Sequence, residues 1–399
     1  MRKIERKRYM ERLAGLRGTP DIKILTGVRR AGKSTLLADW REVLEREGAN
    51  VVGIDYSDLA NEPLKEYHAL HRHAEERKAV GRENILLIDE VQECPGFERT
   101  INSLHSRGGW DIYLTGSNAF LLSGDLATLF TGRQIEIPVF PFSFEEYRLY
   151  FPSGDIQEAL ETYLVRGGLA GSYAYRNERD RADYVREVFD TILVRDLVRK
   201  YRLAEPMVLR HLAEYLMDNI ANLTNPHRTS VQLAQNKVAT NHVTAGAYIE
   251  HLRNACLFHP VKRYDIHGRK YLATSEKYYL CDLGFRYAVL GRRNMDYGRA
   301  FENLVCLELL RRGYEVYVGK LHMKEIDFVA VRENEKVYIQ VADDISGDAT
   351  LRRETAPLLS IRDAYPKMLL ARTRHEAYDV DGVKVVDLAG WLAGEEGPA

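Results

Sequence analysis

The chain has 399 residues, 45% hydrophobic and 29% charged, with a formal net charge of −1. This gives core enough for two or three domains and no overall charge drawing the chain to nucleic acid or membrane, so any such binding must come from a local patch. No run of about 18 apolar residues spans a membrane, Met1 to Arg12 leads into no apolar stretch of a secretory signal, and Cys94, Cys256, Cys281 and Cys306 form no C-x-x-C pair, so a cytoplasmic protein without zinc or disulfides is expected.

Residues 1–20 read as a short basic helix and a Gly18-Thr19-Pro20 turn. Its cations Arg2, Lys3, Arg6, Lys7, Arg8 and Arg12 are expected to form a solvated face, the commoner fate of such a run, or to meet an acidic partner. An apolar strand, Ile22 to Thr26, then enters Gly27-Val28-Arg29-Arg30-Ala31-Gly32-Lys33-Ser34-Thr35, and a helical pattern follows with Leu36, Leu37, Trp40, Val43 and Leu44. Strand, G-x-x-x-x-G-K-S and helix are the context of a phosphate-binding P-loop. The glycines let main-chain N–H groups wrap an anion, Lys33 is placed for the β- and γ-phosphates, Ser34 for Mg²⁺, and the helix start adds its dipole. ATP and Mg²⁺ are the expected ligands of Gly27 to Thr35.

A second strand is expected at 51–56, then a charged helix at 62–80 whose His68, His71 and His73 do not share one face and so form no metal site. Asn84 to Gln92 is an apolar strand closing on Asp89-Glu90. After a P-loop this is the Walker B arrangement, with Asp89 on the metal and Glu90 as general base. A helix at 96–107 precedes the strand Asp111 to Thr115, ending in Gly116-Ser117-Asn118. Ser117 or Asn118 is a candidate γ-phosphate sensor, a plain turn being the alternative. Arg133, before a short strand at 134–139, is a candidate arginine finger for the same or a neighbouring subunit, or else a surface arginine.

Pro138, Pro141 and Pro152 punctuate a boundary, beyond which helices at 143–150, 155–165 and 181–201 read as a lid. A helix at 206–222, helices at 230–237 and 242–254, and a hairpin of 256–264 with 271–280 follow the order of a winged helix. Lys262, Arg263, Arg269 and Lys270 suit a wing touching DNA phosphates, but the expected recognition helix offers only His251 and Arg253, so packing against protein stands beside DNA binding. From Gly298 a third pattern begins: a helix bearing Glu302, strands bearing Asp327 and Gln340, then a helix near 351–361, strands near 367–370 and 383–386 and a final helix at Trp391-Leu392. Glu302, Asp327 and Gln340 are ligand types of a metal-dependent nuclease, yet Ala342 stands where the lysine should, so nuclease activity is not expected.

With Val28-Arg29-Arg30 inside the P-loop, Leu87 to Gln92, Leu114 to Asn118, and the segment from Phe301-Glu302-Asn303 to Glu325-Ile326-Asp327-Phe328 in order, the chain resembles a prokaryotic family of AAA+-type P-loop ATPases that also carry a winged helix and a PD-(D/E)xK-like domain. The resemblance implies an α/β fold in four parts: a P-loop NTPase core of parallel strands with the P-loop strand central (1–142), a helical lid (143–202), a winged helix (203–290) and a restriction-endonuclease-like α/β domain (291–399). It also implies assembly of several copies. Two functions stay open: a Mg²⁺-dependent ATPase whose cycle moves the later domains, with DNA as one partner, and a nucleotide-gated switch gripping a protein partner through a dead nuclease-like domain.

Overall fold

Why the P-loop strand is apolar throughout is plain from its place: β1 (Ile22–Thr26) is buried at all five residues, as a parallel strand covered on both faces must be. The computed structural model describes residues 2–116, 130, 132–152, 154–268, 270–291 and 296–395. It divides into two compact units, one of residues 3–141 with 254–256, the other of 142–253 and 257–399 with the first two residues. Each is described by itself.

The N-terminal unit opens with α1 (Lys7–Leu16), then β1, α2 (Lys33–Arg46), β2 (Asn50–Asp55), α3 (Tyr67–Glu76), β3 (Asn84–Asp89), α4 (Phe97–Arg107), β4 (Asp111–Thr115) and β5 (Gln134–Pro138). The strands form an all-parallel sheet in the order β2-β3-β4-β1-β5. The P-loop strand is therefore not central. β5 pairs with β1 along its whole length, Ile22 opposite Gln134 to Thr26 opposite Pro138, and β4 takes the middle. Lys23 is fully buried within β1 because its Nζ donates to Asp111 Oδ1 (2.5 Å) and to Thr19 O (2.7 Å), which offsets the cost of removing the charge from water. Leu36, Leu37, Trp40 and Leu44 of α2 are buried, each such side chain contributing about 1.5–3 kcal/mol.

In the second unit, α5 (Phe144–Tyr150) starts at a capping box between Ser143 and Glu146. Then come α6 (Ile156–Arg166) and α7 (Glu178–Thr191), the latter running on through a π-helical turn, Ile192–Val198, to Tyr201. Next are α8 (Pro206–Asp218), β6 (Leu223–Thr224), α9 (Pro226–Gln235), α10 (His242–Asn254), β7 (Phe258–Asp265), β8 (Lys270–Leu280) and α11 (Leu283–Leu290). α9 begins four residues before the expected start at 230, since the Asn225 side chain caps the N–H of Arg228 and Pro226 occupies the first turn.

The chain continues as α12 (Tyr297–Arg311), β9 (Glu315–Leu321), β10 (Lys324–Arg332), β11 (Glu335–Ala342), α13 (Asp348–Leu359), β12 (Lys367–Ala371), β13 (Tyr378–Val380), β14 (Val383–Asp387) and α14 (Leu388–Leu392). A nine-stranded sheet runs β13-β14-β12-β11-β10-β9-β7-β8-β6. The segments expected as winged helix and nuclease-like domain share it: β7 and β9 pair in parallel, Arg263 opposite Val318 to Asp265 opposite Lys320. Leu321, Ile326, Val329, Tyr338, Leu358, Leu369 and Val385 form a core beneath it. Among the described residues no helix is long and apolar enough to cross a membrane.

Candidate functional site

The turn after β1 is built around left-handed main chain: Gly27 at φ 139°, Arg30 at 67° and Gly32 at 96°. Gly27 allows no side chain, because a Cβ there would stand 2.0 Å from the carbonyl oxygen of Val139. Gly32 caps α2, so the start of that helix opens directly from the loop. Val28 and Ala31 bury their side chains, so at these two positions main chain is what lines the loop. Lys33 Nζ donates to Gly27 O (2.7 Å) and Val28 O (3.3 Å). Burial lowers the Lys33 pKa, Arg29 adds to the lowering, and the charges of Glu90, Cys256 and Asp89 oppose it. Thr35 is exposed on the first turn of α2.

Asp89 closes β3, almost completely buried. Its carboxylate accepts the hydroxyl of Thr115, at the end of β4, and is hydrogen-bonded to the Ser34 side chain. Burial raises the Asp89 pKa, the two hydroxyls work against that, and Glu90 and Asp55 add to it. Glu90 has a left-handed main chain, φ 55°, worth roughly 1–2 kcal/mol of strain for a residue with a Cβ. Its N–H donates to Thr115 Oγ1 (3.2 Å) and its Oε2 accepts Gln92 Nε2 (2.5 Å). Thus Lys33, Ser34, Asp89, Glu90 and Thr115 come together. Ser34 and Asp89 offer two hard oxygens in mutual contact, a donor set suited to Mg²⁺.

Two contributors carried no recognised sequence signal. Thr115 was legible only as a strand residue before the candidate sensor. Arg6, expected on a solvated face, is buried: its guanidinium donates to Ala31 O (3.1 Å) in the P-loop and to Phe140 O (2.9 Å), and lies over the Tyr9 ring. Tyr9 accepts the N–H of Phe140 (3.0 Å). One basic side chain in a run of six thus turns inward because two carbonyls await it.

Other candidates fall elsewhere. Ser117 and Asn118 lie outside the described residues. Arg133 is exposed, and its carbonyl accepts the N–H of Ile22 at the start of β1. The P-loop leaves the other end of that strand, roughly 16 Å away at 3.3 Å per residue. A guanidinium reaches less than half that far, so Arg133 cannot be a finger for its own P-loop. His71 meets Ser103 Oγ (3.1 Å), and among the described residues no group of three or more His, Cys, Asp or Glu is arranged to hold a metal.

On the second unit, His251 stacks on Tyr201 at 3.7 Å and Arg253 pairs with Glu250 at 2.6 Å, so both are engaged within the protein. Lys262 is exposed, Arg263 half-buried, and Arg269 lies outside the described residues. Glu302 of α12 and Asp327 of β10 are buried. Asp327 Oδ2 accepts the N–H of Val341 (2.9 Å), and Gln340 Oε1 the N–H of Asp327 (3.4 Å). Ala342 is buried in apolar surroundings. A lysine nevertheless reaches the carboxylates, from a strand the motif gives no reason to inspect: Lys277 of β8 lies 2.8 Å from both Glu302 Oε1 and Glu325 Oε1. Tyr279 OH also donates to Glu302 (2.6 Å). Burial works against the Lys277 charge, but Glu302, Asp327 and Glu325 outweigh it and hold its pKa above the ordinary lysine value.

Residues 19–148 match the family described as "AAA domain", and residues 157–296 a "Domain of unknown function (DUF8612)". An uncharacterized protein of Haemophilus influenzae is 36% identical over 398 residues, covering 98% of each chain. The chain belongs to the family of that protein. The uncharacterized protein MJ1544 of Methanocaldococcus jannaschii is 24% identical over 359 residues, 86% of this chain and 79% of that one. A solved Walker-type ATPase, paby2304 of Pyrococcus abyssi, superposes with a TM-score of 0.43 at 18% identity, over 72% of this chain and 95% of that chain. The AAA-domain match of this family member spans the P-loop and the five-stranded parallel sheet.

Proposed function

We propose that the protein binds and hydrolyses ATP with Mg²⁺, and that the cycle drives motion of the second unit, in an assembly of several copies. The hydrogen bond of Ser34 with Asp89 beside Lys33 carries this reading. Main-chain N–H groups of Gly27 to Gly32 and the start of α2 would cradle the phosphates, and Lys33 would leave its carbonyl partners for their oxygens. Ser34 and Asp89 would hold Mg²⁺, which neutralises charge on the phosphates. Glu90, positioned by Thr115 and Gln92, would take the proton of the attacking water. Glu90→Gln is expected to keep ATP binding while phosphate release drops by roughly 10²–10⁴-fold; unchanged release would remove Glu90 from this role.

In this reading α8, β6, α9, α10 and the β7–β8 hairpin act as a winged helix, supported by the helix-strand-helix-helix-hairpin order. DNA is one partner such a module takes. Arg133, unable to serve its own P-loop, would act on a neighbouring copy. A second reading, a nucleotide-gated switch for a protein partner with a catalytically dead restriction-endonuclease-like domain, is favoured by Lys277. Its ammonium stands between Glu302 and Glu325, where a nuclease would need a metal cation. Phosphate release measured with and without DNA separates the two: stimulation supports the motor, and negligible release with nucleotide-dependent capture of a protein partner supports the switch.

A further inference from the structure

A cavity of about 420 Å³ lies in the second unit, with Lys277 and Glu325 on its wall, a volume in the range of small-molecule sites. Around it stand Tyr215 of α8, Asn222, Arg228 of α9 and Arg299 of α12, so separate elements of the fold converge on one space. Their donors are only partly used. Lys277, 3% exposed, directs two of its three ammonium hydrogens to Glu302 and Glu325. Arg299 gives Nε to Asp296 (3.2 Å), and Arg228 gives Nη1 to Leu223 O (3.3 Å). Among the described residues the remaining guanidinium N–H groups of both arginines meet no partner. Among the described residues one carboxylate oxygen of Glu325 is unengaged and no aromatic ring meets that of Tyr215.

Three cationic side chains with unused N–H groups around one cavity are the chemistry that recognises phosphoryl oxygens. An unstacked tyrosine and an accepting carboxylate add places for a base and a sugar hydroxyl. We propose that this cavity binds a phosphate ester of mononucleotide size, either a free nucleotide or one unit of a nucleic-acid strand. Arg228 and Arg299 would take the phosphate, with Lys277 as the fixed cation behind it. The site lies in the unit that lacks the P-loop and does not depend on the ATPase reading.

The test uses the full chain carrying Lys33→Ala, so that the P-loop does not contribute, titrated calorimetrically with adenosine monophosphate and separately with a short oligothymidylate. One-to-one binding is expected, weakened about tenfold or more by Arg228→Ala with Arg299→Ala. Both arginines are partly exposed, so these changes leave the core intact; circular dichroism checks this. Arginine-dependent binding of the monophosphate identifies a free nucleotide as the ligand, and such binding of the oligonucleotide alone identifies a strand. Binding of neither, or binding indifferent to the arginines, overturns the proposal.

Discussion

Thr115 and Asp89 meet across the ends of adjacent parallel strands, the threonine hydroxyl donating to the buried carboxylate. The same oxygen accepts the main-chain N–H of Glu90. One hydroxyl therefore holds both the Asp89 carboxylate and the main chain of Glu90 at the end of β3, using its single donor and one acceptor site.

Thr115→Val keeps the shape of the side chain and removes both hydrogen bonds. Phosphate release is expected to drop by about tenfold or more, with ATP affinity little changed, and stability to fall by about 1.5–3 kcal/mol for a lost hydrogen bond to a charged group. Thr115→Ser should restore most of both. Full activity in the valine variant would show that Asp89 and Glu90 hold their positions unaided.

Arg6 acts on the back of the P-loop through Ala31 O and Phe140 O. Arg6→Ala leaves two buried carbonyls without a charged donor, at a cost of about 1–3 kcal/mol. The loop should loosen, so ATP affinity, followed with a fluorescent analogue, should fall about tenfold in protein that is still folded by circular dichroism. Arg12→Ala, on the exposed face of α1, is the matched control and should change nothing.

Gly27→Ala places a methyl 2.0 Å from Val139 O, main chain that cannot swing aside as a side chain would. Either β5 moves off β1 or the P-loop distorts. Loss of nucleotide binding is expected, with a melting temperature several degrees lower, about 2–4 °C per kcal/mol in a domain this large. A variant with normal affinity and melting would mean the approach of β5 relaxes freely.

Asp282 and His259, both in the second unit, give opposite pH dependences. Burial raises the Asp282 pKa to about 6, against the hydrogen bonds from Gly168, Gly284 and Leu169. The folded state thus keeps that proton longer than the unfolded chain, and stability falls as pH rises from about 4 to 6. Burial, helped by Arg311, lowers the His259 pKa to about 4. The unfolded chain then binds the extra proton, and stability rises as pH goes from about 4 to 6.5. His259→Gln removes only the second slope. Relative to the parent it should gain stability by about 3 kcal/mol at pH 4 compared with pH 7, the advantage fading as pH approaches 6.5. Urea midpoints across that range check it, and a constant difference between variant and parent would contradict the expected His259 titration.

Local chemistry made much of this legible. The P-loop declares itself because a turn of left-handed main chain needs glycine at fixed spacing, and α2 because its apolar residues recur with helical period. Order within the sheet was not legible: nothing in Ile22 to Thr26 says that β5 will close its outer edge and leave β4 in the middle. Arg6 and Lys277 were missed for a related reason. Each belongs to a segment that reads as polar surface or a wing, and each finds its oxygen partners far away in sequence, where pattern and period are silent. The start of α9 at Asn225-Pro226 follows from capping and a first-turn proline rather than from apolar period, which is why the helix expected at 230 begins too late.

The parallel seam between β7 and β9 also dictates how the chain can be divided. Cutting near residue 291, where a boundary was expected, would strip β7 and β9 of their shared ladder and separate Lys277 from Glu302. Each fragment would then present an unpaired strand edge, the template on which chains stick to one another, and one would bear a buried charge without its counter-ion. The hairpin and the α/β segment after it share one sheet, so they belong in the same fragment.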